Sequence, residues 1–281
     1  MIAAATHPGP VHLTVANLER SLDYYGKAVG PAELDRAERR ATLGAGEREL
    51  LVLVEEPGAG SAFGHRGLYH FALLVPERIE LARWLAHAGR ERIQLVGLSD
   101  HAVSESIYLA DPDGHGIEIY ADRPREIWEG QVATQMTTMP LDVQGLIGEL
   151  PDPATASFEG LPAGTVMGHV HLRVADIPAT ITFYRDLLGF DLMAELAGSA
   201  AFLSAGGYHH HIGANIWESA GASPPPTGSA ALRHATFLLP DESAREEALA
   251  GLQAHDHEVN ETEHGPMTRD PSGNALVLEL E

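Results

Sequence analysis

The chain has 281 residues, 44% of them hydrophobic and 21% charged, which is typical of a globular protein with one large domain or two ordinary ones. Acidic residues outnumber basic ones by 40 to 18, and the formal net charge of -22 argues against nucleic acid or an anionic membrane as partner. Cysteine is absent, so disulfides and thiolate ligands are excluded, and any metal site must combine some of the 16 histidines with Asp or Glu.

The N-terminal residues Met1–Ala5 carry neither a basic flank nor a long apolar run. They therefore do not resemble a signal peptide. No stretch approaches the roughly 18 consecutive apolar residues that a membrane helix needs. We expect a soluble, cytoplasmic protein that has no membrane partner.

The first 122 residues predict two units with the same order of elements. In residues 8–56, a β-like run at Val11–Val15 precedes a helical face formed by Leu18, Leu22 and Tyr25. In residues 67–122, the run His70–Val75 precedes a similar helical pattern. Further short apolar runs follow each helix, and the turn residues at 111–114 favour a tight hairpin between the last two. Each unit is therefore predicted to be a strand, a helix and about three more strands.

The second half repeats the first. The landmarks recur in one order: Val11–Ala16 with Val170–Ala175, Tyr25 with Tyr184, His70–Pro76 with His234–Pro240, and Asp111–Gly114 with Asp270–Gly273. We predict an α+β fold of four βαβββ modules in two tandem halves. The halves are residues 1–122 (modules 8–56 and 67–122) and 167–281 (modules 167–218 and 232–281), joined by a proline-rich connection at 123–166.

Several polar residues on these elements are candidates for chemistry. Glu118 lies in an apolar strand, where a carboxylate is either paired, bound to a metal or turned to solvent. His169 and His171 share one face of a strand and are either ligands or structural. The run His209–His211 is either a polar strand end or part of a site; in a strand, His209 and His211 would face one way and His210 the other. His101 is on a loop, where a histidine is usually only solvated.

Together these residues resemble the vicinal oxygen chelate superfamily, and within it the catechol 2,3-dioxygenase-like extradiol enzymes. The segment His169–Tyr184 resembles the strand and helix of the first metal ligand, and its spacing to Tyr184 selects His169. The segment Tyr69–Leu73 resembles the second-ligand strand, with His70 as ligand. The segment Asp111–Glu118 resembles the third-ligand hairpin, with Glu118 as ligand. The fold that the resemblance implies is a set of open-barrel cups that bind metal.

The resemblance also suggests residues that act on the substrate. Tyr108 matches the family's active-site tyrosine. His101 lies about two positions from a family histidine that does not bind the metal but hydrogen-bonds the substrate or oxygen species. The run His209–His211 resembles the strand of the acid–base histidine, for which we favour His211, with His209 beside it.

Two modules depart from the pattern. In the first, Pro10 occupies the ligand position; in the fourth, His234 is in register but Val277 stands where Glu is expected, with Glu279 two residues further on. Pairing modules three and four would give His169 with His234 and a displaced Glu279. Pairing modules two and three gives a complete set, and we favour it.

What the resemblance implies is ring cleavage of a catechol-type diol by O2 at Fe(II), a metal that Mn(II) could replace. The alternatives on the same fold are a glyoxalase-like isomerase, a metal-dependent resistance enzyme, or a drug-binding protein that needs no metal. The partners expected are therefore a small aromatic diol and O2, and a homo-oligomer is compatible with the sequence.

Overall fold

The computed structural model describes all 281 residues, and one order of elements recurs through it four times. The first module contains β1 (His7–Val15), α1 (Leu18–Tyr24), β2 (Ala32–Ala37), β3 (Arg40–Ala45) and β4 (Arg48–Glu55). After the two-residue strand β5 (Gly60–Ser61), the second contains β6 (Gly67–Leu74), α2 (Arg78–Glu91), β7 (Gly97–Asp100), β8 (Ser104–Ala110) and β9 (Gly116–Asp122).

The connection between the halves has secondary structure of its own. It contains a 3-10 turn (Arg125–Ile127), α3 (Val132–Gln135), β10 (Met139–Pro140) and α4 (Val143–Ile147). β10 adds a strand beside β7, and Leu146 of α4 is fully buried in the core. The connection is therefore packed on the second module.

The second half repeats the order of the first. The third module contains β11 (Val166–Arg173), α5 (Ile177–Ile181), β12 (Asp191–Leu196), β13 (Ala200–Ser204) and β14 (Ile212–Asn215). After β15 (Ser229–Ala230), the fourth contains β16 (Leu232–Leu239), α6 (Glu242–Gln253), β17 (Val259–Thr262), β18 (Gly265–Arg269) and β19 (Ala275–Leu280). π-helical turns extend α1 over Tyr25–Val29 and α5 over Thr182–Leu187.

Local sequence signals account for the starts of three helices. The side chains of Asn17, Asp176 and Asp241 accept hydrogen bonds from backbone N–H groups three residues later, at 2.8, 2.8 and 2.9 Å. Such caps satisfy N–H groups that have no partner within the helix.

The sheets combine modules from different halves. In the eight-stranded sheet, of order β17-β18-β19-β16-β1-β4-β3-β2, modules four and one meet where β16 and β1 pair antiparallel. In the nine-stranded sheet, of order β10-β7-β8-β9-β6-β11-β14-β13-β12, modules two and three meet where β6 and β11 pair antiparallel. The chain therefore has the favoured arrangement, in which modules two and three share one sheet.

The landmarks that repeat in the sequence form the same contact twice. Tyr25 donates to Asp111 at 3.1 Å, and Tyr184 donates to Asp270 at 3.3 Å. Each aspartate also accepts backbone N–H bonds from its own hairpin turn; Asp111, for example, accepts from Asp113 and His115. The repeated tyrosine and aspartate therefore join the two modules of each half.

The α+β fold of four modules in two tandem halves is confirmed by these elements. One hydrophobic core of 54 buried residues includes side chains from all four modules. None of the helices combines the length and the apolar character that crossing a membrane would require.

Candidate metal centre

Three buried side chains on neighbouring strands of the nine-stranded sheet converge. Glu118 on β9 places Oε2 2.9 Å from Nε2 of His70 on β6 and 3.2 Å from Nε2 of His169 on β11. The two Nε2 atoms are 3.3 Å apart. The strand register explains this convergence: Ala72 of β6 pairs with Glu118 on one side and with His169 on the other, and His70 shares the face of Ala72.

The charges in this cluster suit metal binding. Burial opposes ionisation of Glu118, but the imidazoles of His169 and His70 outweigh it and hold the pKa of this carboxyl well below its usual range. Burial lowers the pKa of His70, although Glu118 partly offsets the effect. An ionised carboxylate and a neutral imidazole are the forms that bind metals. The solvent-facing orientation of Glu118 is not found, because its side chain is 3% exposed.

The spacing fits one octahedral metal ion. Ligand atoms about 2.1 Å from a metal, on adjacent corners of an octahedron, lie about 3 Å from each other. The three separations of 2.9, 3.2 and 3.3 Å agree with that value. No other set of three His, Asp or Glu side chains brings its ligand atoms within 4.8 Å of one another. Two imidazoles and one carboxylate on one face leave the opposite positions open, as in non-haem Fe(II) oxygenases.

Tyr108 and His101 form a hydrogen-bonded pair beside the cluster. Tyr108 lies on β8 directly opposite Glu118 in the strand register. His101 must donate from Nδ1 to the carbonyl of Thr137, at 2.8 Å, so its Nε2 accepts the hydrogen bond from the Tyr108 hydroxyl, at 2.7 Å. Burial and the nearby Glu118 raise the pKa of Tyr108 well above its ordinary value, so it is a neutral phenol.

The histidine run has a different orientation from the one we favoured. His210, not His211, lines the cavity beside the cluster, and its ring lies 4.1 Å from that of His169. His211 instead accepts a hydrogen bond at Nδ1 from the backbone N–H of Ala205. The expected alternation fails because residues 209–211 lie in the irregular loop between β13 and β14, and strand parity applies only within a strand.

His209 connects His210 to a carboxylate. Nε2 of His209 donates to Asp122 at 2.9 Å, and its Nδ1 lies 2.8 Å from Nδ1 of His210. In the tautomer where Nε2 of His209 donates and its Nδ1 accepts, His210 donates there from its own Nδ1. Burial, followed by His169 and His209, lowers the pKa of His210 well below its ordinary value. His210 is therefore neutral, and its Nε2 carries a free lone pair.

The cluster opens into a cavity of about 790 Å³. The cavity also contains side chains that the sequence did not single out. These are Phe63, Val96, Met136, Thr137, Thr138, Leu196, Phe202 and Trp217; Tyr69 and His171, both named above from the sequence, line the cavity as well. Residues 136–138 belong to the connection, which therefore forms part of the cavity wall.

One close approach positions the strand of His169. A Cβ atom on Gly168 would lie 1.9 Å from the hydroxyl oxygen of Tyr120, so only glycine fits there. The Tyr120 hydroxyl in turn lies 2.8 Å from that of Tyr208. A glycine directly before a histidine, opposite a buried tyrosine, was a signal that motif comparison did not use.

The alternative ligands lie elsewhere. His234 and Glu279 are on β16 and β19 of the eight-stranded sheet, whereas His169 is on β11 of the other sheet. The ring of His234 stacks on that of His12 at 3.9 Å. The structure therefore does not bring the alternative set together.

Comparison with known proteins agrees with this fold. The family model described as the glyoxalase/bleomycin resistance protein/dioxygenase superfamily matches residues 7–119 and again 166–278. A protein named catechol-2,3-dioxygenase from Bacillus subtilis (strain 168) is 43% identical over 281 residues, which cover 97% of this chain and 96% of that protein.

Two solved structures share the fold at low identity. Glyoxalase I from Zea mays has a TM-score of 0.58 at 15% identity, covering 98% of this chain and 92% of its own. The cppA protein from Streptococcus pneumoniae TIGR4 has a TM-score of 0.58 at 13% identity, covering 100% and 99% respectively. These likenesses concern the fold alone.

Proposed function

We propose that this chain, which belongs to the glyoxalase/bleomycin resistance protein/dioxygenase superfamily, is an extradiol ring-cleaving dioxygenase. It breaks the ring bond beside the two hydroxyls of a catechol-type aromatic and inserts both atoms of O2, which gives a semialdehyde. The name of the Bacillus subtilis relative, 43% identical over nearly the whole chain, supports this reaction. The observation that carries the proposal is the His70–Glu118–His169 cluster in one cavity with His210 and Tyr108.

We infer that His70, Glu118 and His169 hold Fe(II), for which Mn(II) could substitute because the same ligand types suit both. When bound, the metal supplies the electron transfer between catechol and O2 that side chains cannot perform. One carboxylate against a dication leaves a net positive site, which favours an ionised catechol.

The protein's own groups handle protons. Nε2 of His210, whose Nδ1 proton is held by His209, accepts a proton from a catechol hydroxyl and returns it during ring opening. The oxygen of Tyr108 donates its proton to His101 and so keeps lone pairs for a hydroxyl of the substrate. The acid–base role that we expected of His211 and His209 is therefore proposed for His210, with His209 as its hydrogen-bond partner.

Anaerobic loading with Fe(II), followed by addition of catechol and air, tests the proposal. We expect one O2 consumed per catechol and a yellow product. Iron-loaded protein that consumes no O2 with a broad set of catechols would contradict it. Metal-dependent isomerisation of a glutathione hemithioacetal by the same preparation would instead favour the glyoxalase-like alternative.

A further inference from the structure

The cavity above the candidate metal centre is much larger than an unsubstituted catechol. Its volume of about 790 Å³ lies within the range of roughly 300–1,000 Å³ that holds drug-sized ligands. A single ring bound at His70, Glu118 and His169 would leave most of that space unfilled. The space therefore provides room for a substituent on the ring.

The cavity mouth exposes an unusual amount of apolar surface. Phe63 is 74% exposed, Val96 is 72%, Trp217 is 51% and Leu196 is 41%, and all four line the cavity. Together they make up four of the protein's ten exposed large hydrophobic side chains. A concentrated apolar patch on a soluble protein marks a binding surface, and this one is continuous with the candidate active site.

An aromatic wall leads from the metal ligands to that mouth. The ring of His70 lies 5.4 Å from Tyr69 and 4.9 Å from His171. Trp217 lies 5.6 Å from Tyr69 and 5.7 Å from His171. Two of these contacts are edge-to-face and two are tilted. Such contacts hold the rings in place and leave flat apolar surface for a ligand.

The same wall offers no free positive charge. Arg173 is the only Arg or Lys that lines the cavity. Its guanidinium donates to the carbonyl of Leu68 at 2.9 Å, lies 3.4 Å from the Glu218 carboxylate and covers the ring of Tyr69. Because this charge is already paired, a carboxylate on the substrate would find no free cation there.

We propose that the substrate is a catechol with an uncharged, apolar alkyl or aryl substituent that lies along Tyr69, His171 and Trp217 towards the mouth. This inference rests on the proposed function and narrows it to a substrate class. The contribution of Trp217 is to specificity, through contact with the substituent.

The experiment compares the iron-loaded enzyme on catechol, 3-phenylcatechol, 4-phenylcatechol and 3,4-dihydroxyphenylacetate, by O2 uptake. We expect kcat/KM for the better phenylcatechol to exceed that for catechol by about 10-fold or more, the usual effect of filling an apolar pocket. The carboxylated analogue should fall below catechol. Trp217→Ala should lower the phenylcatechol-to-catechol ratio about 10-fold, whereas Val143→Ala, an exposed apolar residue outside the cavity, should leave it unchanged.

Anaerobic binding gives a second readout that needs no turnover. Trp84 and Trp128 are 0% and 1% exposed, so a ligand at the mouth should change mainly the emission of Trp217. We expect phenylcatechols to quench the tryptophan emission of the wild type but not that of Trp217→Phe.

The outcomes separate this inference from the proposed function. Equal kcat/KM for catechol and phenylcatechols, a preference for the carboxylated analogue, or no emission change would overturn the substrate class while leaving ring cleavage in place. Conversion of a dimer to a monomer by Trp217→Ala, with an unchanged phenylcatechol-to-catechol ratio, would also overturn the substrate class. The exposed apolar residues at the cavity mouth would then form a dimer interface. Failure to consume O2 with any catechol overturns the proposed function itself.

Discussion

The two sheets place equivalent positions in nearly the same register but give them different residues. In the nine-stranded sheet these positions hold His70, Glu118 and His169. In the eight-stranded sheet the equivalents of the last two are Val277 and Pro10, and only His234 is retained. A shared backbone therefore supplies three neighbouring positions, and the side chains decide whether they form a metal site.

The histidines of the eight-stranded sheet pack against each other. His12 stacks on His234 with ring centroids 3.9 Å apart, and His264 lies 4.9 Å from His12. Burial, together with neighbouring positive groups, lowers the pKa of His12 to about 2 and that of His234 to about 4. The rings of His12 and His234 are therefore neutral at pH 7. The two sheets therefore differ at two of the three positions: Glu118 and His169 in one are Val277 and Pro10 in the other.

Replacing Glu118 with valine, the residue at the equivalent position 277 of the other sheet, should abolish metal binding in the nine-stranded sheet. Glu118→Val removes the only anionic ligand, so we expect loss of bound iron after desalting and a fall in turnover beyond the roughly 10²–10⁴-fold that loss of an acid–base group costs. Metal analysis and O2 uptake measure both effects. Glu279→Val, a glutamate on β19 outside the cluster, is the matched control and should keep its iron. Iron retained in Glu118→Val would contradict the assignment.

The loop that carries His210 has seven residues, whereas its equivalent between β3 and β4 of the eight-stranded sheet has two. Replacement of His210 should separate chemistry from metal binding. His210→Ala should retain iron but lose turnover by about 10²–10⁴-fold, the usual cost of removing a general acid–base group. His211→Ala is the matched control, since His211 does not line the cavity. If His211→Ala loses turnover and His210→Ala does not, His211 is the acid–base group and the assignment of His210 is wrong.

Introducing a carboxylate into the eight-stranded sheet tests whether Glu alone suffices. Val277 is fully buried, so Val277→Glu places a charge next to a single nearby ligand position, that of His234. We expect the free energy of unfolding to fall by about 3 kcal/mol, as for other unpaired buried charges. Urea unfolding measures this, with Val277→Thr as the uncharged control. A second equivalent of iron in Val277→Glu would show that Pro10 does not limit the site.

The smallest predicted effect concerns Asp122. Asp122→Asn keeps an acceptor for Nε2 of His209 but removes the negative charge of Asp122. The imidazolium that His210 forms when it takes the substrate proton is then stabilised less through His209. We expect kcat to fall about 10-fold, equivalent to roughly 1.4 kcal/mol from a charge-assisted hydrogen bond, with little change in KM. Glu129→Gln, an exposed carboxylate elsewhere, is the control. An unchanged kcat would mean that the link through His209 does not act in the reaction.

The order of the elements and the grouping of the candidate metal ligands could be predicted from the sequence, because both depend on local motifs. The fourfold order of elements followed from repeated landmarks such as Tyr25 and Asp111, whose recurrence reflects a repeated buried hydrogen bond. The grouping of His70, Glu118 and His169 was predicted because the ligand positions are intact only in modules two and three.

The remainder depends on contacts that local pattern does not encode. His210 was not favoured because strand alternation was applied to residues that lie in an irregular loop between β13 and β14. The contact of His101 with Thr137 was missed because it joins the second module to the connection, for which the sequence pattern predicted no contacts. Trp217 lies after β14 and reaches the cavity only through the packing of the third module on the second.

Anomalous diffraction at the iron edge from iron-loaded crystals tests the central claim most directly. The account predicts one peak per chain, in the nine-stranded sheet, about 2.0–2.3 Å from the ligand atoms of His70, Glu118 and His169. A peak beside His12 and His234 in the eight-stranded sheet, or none near Glu118, would contradict it.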